Sequence, residues 1–145
     1  MQAKAMDVES MFAKYKEADN AFSIRLGYPI MKLSGLIISA RYKEARIVRS
    51  INSLRMVDLS DCTKETQSQF RLDADSLLDT KYKELAQVKT EDDNIRVLAK
   101  CDDKVIKDMI ILLSGKDVLL VRLKGNMDLK KYMEYVIKYT QKKKE

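Results

Sequence analysis

Apolar positions in the second half of the chain recur with the period of a strand. Ile95, Val97, Ala99 and Cys101 fall on one face of a segment running from Ile95 to Cys101. Val105 to Leu113 alternates at first and then turns continuously apolar over Met109–Leu113, the pattern of a strand in the middle of a sheet. Tyr82–Val88 and Val118–Lys124 are read as strands on the same grounds. Polar turns link the four: Asp92-Asp93-Asn94, Asp102-Asp103 and Ser114-Gly115-Lys116-Asp117. Connections this short cannot house a crossover, so the strands are expected to be antiparallel neighbours in a C-terminal β-meander.

The first half mixes periods. Val8, Met11, Phe12 and Tyr15 share one face of a short helix that Asp7 can cap. Phe22, Ile24 and Leu26 alternate in a strand over Ala21–Leu26 that Gly27 ends. Pro29 suits the first turn of a second helix, in which Ile30, Leu33, Ser34, Ile37 and Ile38 recur at helical spacing. Gly35 lies inside it, at a cost of about 1 kcal/mol relative to alanine, which close packing on a sheet or a hinge would explain. Ser50–Leu59 reads as a strand, with Leu54 and Met56 on one face and Ser53 and Arg55 on the other. Ser60 or Asp61 can then cap a helix whose buried stripe is Cys62, Thr66, Phe70, Ala74, Leu77 and Leu78. Leu129, Tyr132, Met133 and Val136 give a closing helix its apolar face, with Asn126 or Asp128 as cap. The expected fold is α+β: a mostly antiparallel sheet with helices packed mainly on one face.

Apolar residues stand on both faces of Val105–Leu123, so the second face also needs a cover. Helix one is one candidate; a second copy of the chain or a protein partner is another.

At 145 residues the chain is the size of a single domain, 1–145, with residues 1–6 as a flexible N-terminus and 140–145 as a basic tail. A hydrophobic content of 46% sets it apart from disordered chains. Its longest apolar runs fall far short of the roughly 20 residues that cross a bilayer. The N-terminus lacks the basic start and apolar core of a secretory signal, so a cytosolic protein or a mature segment is expected. Of the net charge of +6, four Lys and one Glu in the last eight residues supply half. Such a tail attracts nucleic acid or anionic membrane, and equally suits a solvated helix end.

Chemistry is excluded more readily than assigned. With no histidine and only Cys62 and Cys101, catalytic triads, Cys–His pairs and structural zinc have no residues to build them. The two thiols can form one disulfide in an oxidising compartment or remain separate and partly buried. The four glycines form no phosphate-cradling loop. Asp92-Asp93 and Asp102-Asp103 lack the calcium-loop pattern and read as turn residues. The strands carry aliphatic residues where an RNA-binding sheet presents aromatics, which counts against nucleic acid. No cofactor is expected, and the chain reads as not an enzyme. The candidate anion or partner contacts are Arg41, Arg46 and Arg49, because arginine forks match phosphates and carboxylates. The plainer account of the same residues is a solvated connection.

Three segments, Leu85–Lys100, Ile106–Gly115 and Val118–Leu129, resemble the Bacteroidetes exported proteins catalogued as domain of unknown function 4252. Ile51–Leu59, Cys62, the Phe70 helix and the opening Met11–Tyr15 fit the same pattern, from about Val8 to Val136. The resemblance implies a signal peptide, often of the lipoprotein type, hence a periplasmic or outer-membrane-associated domain held by a native anchor. It brings no catalytic or cofactor residues. The first expectation is therefore a non-enzymatic protein-binding domain of the cell envelope, with an unidentified envelope protein or a second copy as partner. The alternative is a cytosolic nucleic-acid-associated basic protein using Arg41, Arg46, Arg49 and the C-terminal lysines.

Overall fold

A computed structural model describes residues 6–31, 49–132 and 134. Helix α1 spans Val8–Tyr15, and its Asp7 cap accepts a hydrogen bond from the Ser10 backbone N–H at 2.8 Å. Its buried residues are the four the periodicity singles out, Val8, Met11, Phe12 and Tyr15. Asn20, at φ 67°, turns the chain into β1, Phe22–Leu26, in the left-handed region that Asn tolerates. Residues 28–31 are helical, opening with the Met31 N–H donating to the Gly27 carbonyl. Leu33–Ile38 lies outside the described residues.

Strand β2 covers Ile51–Asp58. The following helix, α2, is Lys64–Ser76, and Thr63 caps it, not Ser60 or Asp61. Asp58 explains the delay. Its carboxylate accepts from both the backbone N–H and the hydroxyl of Ser60, which holds that residue in a turn. Phe70, Ala74 and Leu77 are buried as the stripe requires, whereas Leu78 lies past the helix end and is 67% exposed. Cys62 precedes the helix and packs half-buried against the core.

Strands β3 (Lys83–Lys89), β4 (Asn94–Asp102), β5 (Val105–Ser114) and β6 (Val118–Asp128) form the meander. The sheet is antiparallel throughout, in the order β1-β2-β6-β5-β4-β3. The closing strand runs on to Asp128 and does not stop at Lys124. Gly125 is what allows this, since a Cβ there would sit 2.0 Å from the Ser50 carbonyl oxygen. A glycine that reads as a breaker in sequence marks a close backbone approach in a strand. Asp128 then caps the next turn, accepting from the Lys131 N–H.

Each face of the sheet has its own core. On the first, α1 and α2 pack over Val57, Leu98, Ile110, Leu112 and Leu120, with the Tyr15 and Phe70 rings edge to face at 5.1 Å. A ring as fully buried as Phe70 contributes about 2–3 kcal/mol. On the second, Val97, Ala99, Met109, Leu123 and Met127 cluster with Met31, Leu129 and Tyr132. Helix α1 therefore does not cover the second face; it shares the first with α2. The chain's own residues around 31 and 129–132 supply cover on the second face. A bulge at Lys107, extra in the pairing of β5 with β4, keeps Ile106 and Met109 on one face although three positions separate them.

Candidate anion-binding surface

Strand register assembles a feature that no single segment contains. Arg25 on β1 stands opposite Arg55 on β2, and Arg55 stands opposite Arg122 on β6. Directly opposed residues share a face, so three guanidinium groups form a row across neighbouring strands that lie about 4.8 Å apart. The next row continues the charge: Lys124 opposes Asp108, which opposes Lys100. Five basic side chains thus meet two acidic ones, Asp108 and Glu9 from the first turn of α1.

The inner end of this surface is held firmly. Arg122 donates through Nε and Nη2 to both carboxylate oxygens of Asp108, at 3.2 and 2.9 Å, and through Nη1 to Glu9. The Tyr82 hydroxyl also donates to Asp108, at 2.9 Å, and the Lys100 ammonium lies 4.7 Å from the centre of the Tyr82 ring. Burial alone would lower the Arg122 pKa, but its hydrogen bonds to Asp108 and Glu9 raise it well above its usual value. Glu9 is held below the usual carboxylate range, first by the Arg122 hydrogen bond. Burial and the bond to Asp108 push the Tyr82 phenol upward.

Going outward along the row, the partners thin out. Arg55 stacks on Phe12, its guanidinium carbon 4.3 Å from the ring centroid, and reaches Glu9 only at 3.8 Å. Its pKa is lowered by burial and then by the charge of Arg25. Arg25 itself is exposed and forms no ion pair among the described residues. The arrangement is a graded cation site: anchored at Arg122, stacked at Arg55 and open at Arg25.

Arg49, of the expected contacts, is exposed in a short turn before β2 and already has an interaction partner. Arg41, Arg46 and the C-terminal lysines lie outside the described residues. The row of Arg25, Arg55 and Arg122 was missed. Its one signal in sequence is that Arg25 and Arg55 occupy the polar phase of their strands.

Other reactive groups are occupied structurally. Lys14, Tyr15 and Gln69 converge on Asp73, with the Tyr15 hydroxyl donating at 2.5 Å. Burial opposes ionisation of Asp73, yet the hydrogen bonds from Lys14 and Tyr15 hold it below its usual value. Cys62 and Cys101 are free thiols, half-buried and exposed respectively. Exposure of Cys101 departs from the partly buried position expected, and it follows a register shift between Lys100 and Cys101. Burial and nearby Asp61, Asp58 and Asp19 push the Cys62 thiol up, away from a reactive thiolate. Among the described residues no group of three potential ligands is placed to hold a metal, and no helix is long and apolar enough to cross a membrane.

A family model described as Domain of unknown function (DUF4252) matches residues 15–135. Neither a curated protein nor a solved structure matches the chain.

Proposed function

Because the chain belongs to the family described as Domain of unknown function (DUF4252), a description that names no activity, we propose a function from the surface: a non-enzymatic protein-binding module of the cell envelope whose arginine row takes carboxylates of an acidic partner. The observation that carries this reading is Arg25, an exposed guanidinium set opposite another arginine with no carboxylate of its own. Like charges directly opposed destabilise a sheet. A partner carboxylate would relieve that repulsion and can meet a guanidinium with two parallel hydrogen bonds. Partial burial of Arg55 and Arg122, at 17% and 12% side-chain exposure, strengthens such a bond relative to one in open water.

The non-enzymatic part rests on the displaced groups themselves. Burial first and a carboxylate hydrogen bond second raise Tyr15 and Tyr82, while hydrogen bonds to named neighbours outweigh burial in setting Glu9, Asp73 and Arg122. In this reading the domain is exported and held at the membrane by a native lipid anchor, as the resemblance to exported proteins implies.

The same guanidinium row also suits phosphate, which is what favours the alternative of a nucleic-acid-associated basic protein. Affinity capture from envelope and soluble fractions, with and without nuclease, separates the two. The expected result is an envelope protein retained by the wild type, unaffected by nuclease and lost with Arg25→Glu. Nuclease-sensitive recovery, or identical recovery with both proteins, would overturn the reading.

A further inference from the structure

The two ends of the sheet differ in how they are protected. Strand β3, at one end, carries Lys83 and Lys89 at its termini, an Arg96–Glu84 ion pair and a register shift between Glu84 and Ala86. Charged residues and bulges of this kind keep other chains from pairing with an open edge. Strand β1, at the other end, has no bulge, no lysine and no ion pair among the described residues, and Arg25 is its one charged residue. Its sequence Phe-Ser-Ile-Arg-Leu holds no Lys, Pro or Gly, and its pairing with β2 runs without a shift from Phe22 to Leu26. One edge of β1 pairs with β2, and the other pairs with no described strand.

Apolar exposure gathers at the same place. Five large hydrophobic residues are exposed among the described residues: Phe22, Tyr28, Ile30, Leu72 and Leu78. Three of them lie within residues 22–30, and Phe22, on β1 itself, is 55% exposed. The open end of the arginine row falls on this strand too.

Resting on the binding reading above, the geometry points to strand addition as the mode of recognition: an extended acidic segment of a protein partner pairs with the edge of β1 that no described strand occupies. Five residues of β1 span about 17 Å, enough to pair with a segment of equal length. An acidic residue opposite Arg25 extends the cross-strand row by one position, so the order becomes carboxylate, Arg25, Arg55, Arg122. The neighbouring residues of the segment point to the other face, alongside Phe22 and Ile24, and are apolar. Backbone hydrogen bonds supply affinity and alternate side chains supply selection. A basic segment is rejected, because it would add a fourth like charge to the row.

The probe is a labelled octapeptide alternating Val and Glu, titrated by fluorescence anisotropy at low salt against the full chain. Two controls accompany it, the same peptide with Lys for Glu and an N-methylated form that keeps side chains but lacks backbone donors. The expected result is binding of the Val-Glu peptide, at least tenfold weaker for each control and for Arg25→Glu, and retained by Arg25→Lys. Arg25 is exposed, so circular dichroism should show both variants folded. Equal binding of the N-methylated peptide would overturn strand addition while leaving a charge-driven binding module standing. Failure of the Val-Glu peptide to bind the wild type would also overturn it. A capture result identical for wild type and Arg25→Glu would instead remove the underlying reading.

Discussion

Arg25 and Arg55 are direct cross-strand partners, two guanidinium groups opposed in the β1–β2 ladder. Burial and then the charge of Arg25 lower the pKa of Arg55, the direction expected of a cation held beside a like charge. The free protein therefore carries a local electrostatic cost at the outer end of its arginine row.

Replacing Arg25 should show that cost. Arg25→Glu turns a like pair into an opposite one, and should raise the stability of the free protein by up to about 1 kcal/mol while weakening partner binding. Urea unfolding at low and at molar salt checks this, because screening should shrink the gain. A destabilised variant would mean that Arg25 has a structural role.

Asp108 is the structural counterweight. It is 5% exposed and holds Arg122 and Tyr82 together, so Asp108→Ala leaves a half-buried guanidinium short of its main partner. The expected loss is about 3 kcal/mol. The double variant Asp108→Leu with Arg122→Met should recover much of it, since no unpaired charge remains. Equal losses in the single and double variants, measured by denaturant unfolding, would show that packing and not the ion pair governs the site.

Gly125 tests the path of β6. Its missing Cβ leaves room for the Ser50 carbonyl and Ile51 Cα, which are backbone atoms and cannot rotate aside. Gly125→Ala should destabilise by about 1–3 kcal/mol through forced backbone movement. At Gly27 an added Cβ would meet nothing within 4 Å, so Gly27→Ala should change stability far less.

Acid and alkali should act through different groups. Glu9 and Asp73 have folded pKa values below their ordinary 4.5 and 3.8. Their contribution is present above those ordinary values and is lost as pH falls through the folded ones, so stability should decline below about pH 4.5. Glu9→Gln and Asp73→Asn should flatten that decline. Tyr15, Tyr82 and Tyr132 are raised, chiefly by burial. Above about pH 10 the unfolded chain loses tyrosine protons that the folded chain keeps, so stability should fall as pH rises. Phenolate absorbance should show these three ionising only with unfolding.

The elements set by local chemistry were legible in the sequence. Asp7 capping α1, the alternation of β1 and β2, and the short turns of the meander depend on residues close in the chain. Thr63 was not found as a cap, because the choice turns on Asp58 binding Ser60. The extension of β6 hides behind Gly125, whose role depends on the distant Ser50. The arginine row was illegible for the same reason. Arg25 and Arg55 can be phased within their strands, but only the pairing of β2 with β6 places Arg122 beside them.

The central claim is that the arginine row receives acidic groups of a protein, and arginine Nε–H resonances report on it directly. A short oligoglutamate and an oligonucleotide would be titrated separately into the isotope-labelled protein at low salt. The account predicts that oligoglutamate shifts the Arg25 and Arg55 signals most, Arg122 less, and that these shifts vanish in Arg25→Glu. Shifts confined to other arginines, or a stronger response of the row to the oligonucleotide, would contradict it.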